Sequence, residues 1–131
     1  MFEKSPILRW RNYATNYTLE GNKCVACNKI HFPKVYLCNC GSTKFKKTFL
    51  SDKGTLLAFT QVTTPPEAFA KMAPYCIGLI ELEQGPKIIS QITDANLQDL
   101  KIGIKLQASF RKYYTVGTKG TINYGLKFTV I

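Results

Sequence analysis

The chain has 131 residues, a net charge of +10, and 45% hydrophobic and 12% aromatic side chains. That length suits one ordinary domain, or a small metal-stabilised module beside a compact second domain, and the composition excludes a disordered chain. No apolar run approaches the roughly 20 residues that span a bilayer, and the first residues lack a signal-peptide pattern, so a soluble cytoplasmic protein with reduced cysteines and no membrane partner is expected.

The first predicted element, over residues 1–20, is an amphipathic helix. Ser5-Pro6 offers an N-cap followed by proline at the first helical position. Ile7, Trp10, Tyr13, Ala14 and Tyr17 then recur at spacings of three and four, the stripe of a helix running to about residue 18. That stripe is wide for so short a helix. Two readings stay open: it packs on the following module, or it meets another protein, with Trp10 and Tyr13 as the first candidates for that contact.

Residues 21–45 carry the strongest motif. Cys24-Val25-Ala26-Cys27 and Cys38-Asn39-Cys40-Gly41 are two close pairs separated by ten residues, the ligand pattern of a four-thiolate zinc ribbon. Zinc held by four thiolates has no open position for water or substrate, so the expected metal is structural. Two disulfides would need an oxidising compartment, and a redox role for Cys24 and Cys27 would want a strand-to-helix context instead of turn residues. Cys38 and Cys40 are one residue apart, so both sulfurs reach one metal only if Asn39 and Gly41 bend the backbone sharply. His31 is the reserve ligand. Cys76, in a distant apolar run, reads as a small core residue.

Residues 46–131 read as a β domain. A strand from Lys46 leads through a turn into Thr55–Thr63, Pro65-Pro66 ends that run, and a loop carrying Phe69 and Met72 follows. Tyr75–Glu83 and Lys87–Thr93 form a hairpin, residues 96–103 make one or two helical turns stopped by Gly103, and Ile104–Tyr114 and Thr121–Val130 close the chain. Five strands with a short helix between the third and fourth is the order of an OB-fold barrel. The fold class is therefore mainly β, with an N-terminal helix, a rubredoxin-like zinc ribbon and a five-stranded OB-fold barrel.

Catalytic equipment is scarce. The single histidine lies inside the cysteine cluster, and no nucleophile elbow, paired metal-binding histidines or phosphate-cradling loop is present, so the chain is not expected to be an enzyme. Ribbon, barrel and basic charge together suggest single-stranded nucleic acid as an alternative partner. Two features oppose it. The second and third barrel strands offer one aromatic between them, and residues 61–100 carry five acidic against two basic side chains. The aromatic and basic run Phe110-Arg111-Lys112-Tyr113-Tyr114 lies on the fourth strand instead.

Taken in order, Trp10-Arg11, Tyr17 to Cys27, Phe32-Pro33-Lys34, Cys40-Gly41-Ser42, Lys53-Gly54-Thr55, Pro65-Pro66 with Phe69, Ala73-Pro74-Tyr75, Lys101-Ile102-Gly103 and Tyr124 to Phe128 resemble a known family. It is the acyl-CoA-associated zinc-ribbon/OB-fold family, long filed as a domain of unknown function, whose members are accessory partners of thiolase-like and 3-hydroxy-3-methylglutaryl-CoA synthase-type enzymes. Asn28 stands where that family usually has glycine. The resemblance implies a non-catalytic scaffold that docks on a condensing enzyme and helps hold coenzyme A or its thioester. Lys71, Arg111, Lys112 and Lys119 would then lie near the phosphate end of coenzyme A. Phe69, Met72 and Tyr75 would line its pantetheine arm or the partner interface.

Overall fold

The computed structural model describes residues 5–115 and 122–131, with their side chains except those of residues 14–16, 68, 114 and 115. Helix α1 spans Pro6–Thr18. Ser5 stays extended and its hydroxyl accepts from the Leu8 amide at 3.4 Å, so the cap and the proline start the helix where their chemistry requires. Leu19 stops it in a left-handed conformation, φ 53°, and turns its own side chain into the core. The aromatic stripe does not follow it inward: Ile7, Trp10, Tyr13 and Tyr17 are all exposed, Trp10 by 73%.

The ribbon is a three-stranded antiparallel sheet of β1 (Glu20–Cys24), β2 (Ile30–His31) and β3 (Phe45–Phe49), in the order β2-β1-β3. This sheet takes in Glu20 and residues 46–49, on either side of the 21–45 span read from the sequence, because β3 pairs with β1 from Glu20↔Phe49 to Cys24↔Phe45. Asn22, buried in β1, ties down the loop between the knuckles by donating to the Val35 carbonyl at 2.7 Å.

The remaining strands are β4 (Lys53–Val62), β5 (Tyr75–Leu82), β6 (Lys87–Thr93), β7 (Lys105–Thr115) and β8 (Ile122–Val130). They form a closed barrel in the order β4-β5-β6-β8-β7. All neighbours are antiparallel except β6 and β8, which meet in parallel at Ile92↔Phe128 and Thr93↔Thr129. Strand β4 serves both β5 and β7, and its register shift between Leu56 and Ala58 supplies the bend that a barrel corner needs. This is the expected OB-fold. Two short elements differ from expectation. The loop after Pro65-Pro66 contains a 3-10 helix, Glu67–Met72, too short to leave a periodic signature. The helical turns at 96–103 shrink to Leu97–Asp99, held by reciprocal Asn96 and Asp99 caps.

Alternation on β5 sends Cys76, Gly78, Ile80 and Leu82 inward, and with Leu56, Ile92, Leu100, Leu106 and Phe128 they fill the barrel. Leu19 and Leu50 join the same cluster, linked by the Leu50 amide donating to the Leu19 carbonyl at 3.0 Å, so ribbon and barrel share one core.

Glu20 is a charged exception, only 3% exposed. It forms an ion pair with Lys34 and a second with Lys47 at 3.7 Å. The hydrogen bond from Lys34 holds its carboxyl below the usual 4.5, against burial, which pushes it up. A depressed folded pKa contributes stability above the unfolded value and loses it as pH falls through the folded one. Glu20→Gln is therefore expected to lower the denaturant midpoint at neutral pH. The gap to the natural protein should close well below pH 4.5. Metal release in acid is common to both proteins, so a gap that stays constant with pH would contradict this account of Glu20.

Candidate metal centre and ligand cavities

The first knuckle grows out of β1. Cys24 is fully buried at the strand end, its amide donates to the Lys29 carbonyl at 2.9 Å, and the Asn28 amide returns to the Cys24 carbonyl at 3.0 Å. That turn puts Asn28 at φ 61°, a left-handed position that asparagine tolerates better than other residues with a side chain, which is why it can stand in for glycine. In the second knuckle the Gly41 amide donates to the Cys38 carbonyl at 2.9 Å and the Cys38 amide to the Ser42 carbonyl at 3.0 Å. Gly41 sits at φ 91°. This is the bend that a one-residue gap demands.

As a result the Sγ atoms of Cys24, Cys27, Cys38 and Cys40 all lie within 4.8 Å of one another, with Cys24 to Cys40 at 3.6 Å and Cys27 to Cys38 at 3.4 Å. Tetrahedral zinc bound at ~2.3 Å per sulfur would separate its ligands by ~3.8 Å, so the cluster can hold a metal ion and is compatible with zinc. His31 Nε2 lies 3.5 Å from Cys38 Sγ, placed to donate to a ligand and not needed as one. The thiols differ in acidity. The Cys27 backbone amide brings Cys24 down to about 6, whereas Cys27, despite the amide of Lys29, is pushed up to about 12 by the neighbouring sulfurs of Cys38 and Cys24. Metal binding requires all four deprotonated and would override that difference. Cys76 is apart, buried in the barrel, and burial raises its thiol.

Among the described residues, two cavities on the barrel concern the residues named above. The larger, about 700 Å³, is lined by Gln61, Met72, Tyr75, Gln91, Asp94 and Lys127 among others. The smaller, about 200 Å³, is lined by Phe69, Ile89, Ser90, Gln91 and Tyr113. Phe69 and Tyr75 touch edge to face at 6.0 Å, so the three apolar residues singled out in the sequence do come together around these openings. The basic ones do not converge. Lys71 and Lys112 are exposed and line neither cavity, Arg111 is ion-paired to Asp94 at the rim of the larger one, and Lys119 lies outside the described residues. Sequence reasoning missed Lys127 and Tyr113. A lysine next to Phe128 in an alternating strand reads as a solvent-facing residue. The one usable signal was Gly125, since a mid-strand glycine marks close approach. A Cβ there would collide with the Tyr113 ring, whose hydroxyl donates to the Leu126 carbonyl at 2.7 Å.

A four-thiol ribbon packed on an OB barrel defines a class of two-module proteins, and comparison narrows it. A family model described as ChsH2, C-terminal OB-fold domain, matches residues 48–111. A DUF35 domain-containing scaffold protein of Methanocaldococcus jannaschii is 37% identical over 98% of this chain and 93% of its own. Namesakes in Methanothermobacter thermautotrophicus and Pyrococcus furiosus are each 35% identical, over 91% and 93% of this chain and 91% and 90% of theirs. The chain belongs to the DUF35 family. Its fold also matches a solved chain of the Ltp2-ChsH2(DUF35) aldolase, with a TM-score of 0.73, 18% identity, and 98% and 96% of the two chains covered. Among the described residues no helix is long and apolar enough to cross a membrane.

Proposed function

We propose that this chain is a cytoplasmic, non-catalytic acyl-CoA-binding accessory protein. It docks on a thiolase-like or 3-hydroxy-3-methylglutaryl-CoA synthase-type enzyme and helps hold coenzyme A or pass on its thioester. Zinc in the four-thiol site is structural. The relatives named as scaffold proteins support the accessory role. The match to a chain from an aldolase assembly supports an enzyme as partner.

The observation that carries the docking reading is an exposed set of aromatic rings on α1 and the neighbouring barrel strands. Trp10 and Tyr13 lie 5.5 Å apart on α1, Tyr17 meets Phe110 edge-on at 5.3 Å, and Phe110 stacks on Tyr124 at 5.4 Å. All five are exposed. Aromatic anchors of this kind supply much of the binding energy of protein interfaces. The apolar side chains of Met72, Tyr75 and Phe69 at these cavities support a thin pantetheine arm, and exposed Lys71 and Lys112 support phosphates nearby.

The test is to express the tagged protein in its own host and identify what stays attached. A condensing enzyme is expected, retained at high salt and released with a coenzyme A thioester. Trp10→Ala should weaken that complex about 30-fold, from the ~2 kcal/mol typical of an interface anchor. Retention unchanged by Trp10→Ala and Tyr13→Ala together would remove α1 from the interface. A second reading, single-stranded nucleic acid, is favoured by the exposed Phe110–Tyr124 stack with Lys112 opposite Tyr124 on the neighbouring strand. It predicts oligonucleotide affinity that falls steeply with salt.

A further inference from the structure

Lys127 is a cation in an unusual place. Its neighbour Phe128 fills the barrel, so alternation along β8 sends the lysine to the outer face, yet it is only 7% exposed because the 3-10 helix Glu67–Met72 and Tyr113 cover it. Its Nζ lies 3.5 Å from the Met72 sulfur and 5.8 Å from the centre of the Tyr113 ring. Neither carries a negative charge. Among the described residues no carboxylate forms an ion pair with it; the Asp94 carboxylate, in the same cavity, is taken by Arg111. Burial, and then the nearby Arg111 charge, both push its ammonium toward deprotonation. Buried lysines are normally paired, and an unpaired one is costly unless something anionic completes it.

That something has room. Lys127 lines the cavity of about 700 Å³, within the usual size of small-molecule sites. Around it stand the side chains of Gln61, Gln91, Thr93 and Asn96, which offer hydrogen bonds without charge. One cation without a carboxylate partner, beside neutral polar groups and an Asp94 carboxylate already engaged by Arg111, is the chemistry that selects an anionic oxygen group. We propose that this cavity is a binding site for a small organic anion, a carboxylate or a phosphate ester, with the Lys127 ammonium as its counter-ion. The site is complete in the single chain and does not depend on the docking reading.

The experiment titrates the purified zinc-loaded chain, without partner, with acetate, inorganic phosphate and uncharged acetamide at constant ionic strength, followed by heteronuclear NMR. Saturable binding of an anion is expected, with the Lys127 side-chain signals among those that move and acetamide inert. Preference for phosphate identifies a phosphate ester as the ligand, and preference for acetate a carboxylate. Lys127→Met, which keeps the volume and the apolar contact with Met72, should weaken binding roughly tenfold to a hundredfold, the worth of one charged hydrogen bond. Lys46→Met, exposed on the ribbon strand β3 and outside both cavities, should leave it unchanged. Absence of saturation by either anion, equal binding of acetamide, or Lys127 signals that stay fixed would each overturn the proposal. The last readout needs no variant, so it stands even if Lys127→Met misfolds.

Discussion

Cys40→Ser is expected to release the metal and unfold the ribbon, with bound zinc falling from one equivalent to near zero. Zinc in a four-thiolate peptide site contributes an apparent ~10–16 kcal/mol near neutral pH, comparable to the whole stability of a domain at ~5–15 kcal/mol. The ribbon has little else. Cys24 and Cys38 are buried at its centre, Cys27 and Cys40 close it from outside, and its apolar contribution to the shared core comes from Leu19 and Leu50 at its edges with Ile30 and Phe32 partly buried beside them. Chelation of the natural protein should reproduce the effect. His31→Ala is the informative contrast. Because its ring only approaches Cys38 Sγ, at 3.5 Å, it should keep full zinc occupancy and lose about 10–100-fold in affinity. If His31→Ala emptied the site while Cys40→Ser kept it, the ligand set would be three cysteines and a histidine. Metal analysis, with amide exchange read over β1 to β3, distinguishes these outcomes.

Phe128→Ala is expected to cost about 3–5 kcal/mol, since removing a buried phenyl ring loses its transfer energy and leaves a cavity that rigid strands fill only partly. Phe128 is fully buried and sits where β8 meets β6 in parallel, the contact that completes the barrel. Its loss should lower the denaturant midpoint, and, because Leu19 and Leu50 belong to the same cluster, protection in the adjoining ribbon should fall with it. A cost under about 1 kcal/mol would mean that the site collapses freely and that the barrel is not packed as described.

Local chemistry was legible before any coordinates. The Ser5-Pro6 start, the paired cysteines, the alternating strands and the five-strand order all rest on residues close in sequence acting through period, capping or ligand spacing. The 3-10 helix at Glu67–Met72 was not legible, because six residues, about two turns, carry no periodic pattern above noise. The lining of the candidate site was legible in part. Met72 and Tyr75 do line the larger cavity and Phe69 the smaller, but Arg111 is spent on Asp94, 17 residues away in the chain, a pairing that no spacing rule would find.

The sequence by itself determined a four-thiol finger joined to a small β barrel, and with it a chain poor in catalytic groups. Only the tertiary structure decided what covers each side chain. It left Trp10 in solvent, although helical periodicity would equally have suited burial, and it buried Lys127, although strand alternation assigned it to the outer face. The reason is that periodicity tells which side of an element a residue occupies, whereas the neighbour on that side comes from segments far along the chain. For Lys127 that neighbour is the 3-10 helix between the first two barrel strands, whose Met72 lies 55 residues earlier in the chain, and its arrival turns a surface cation into a buried one.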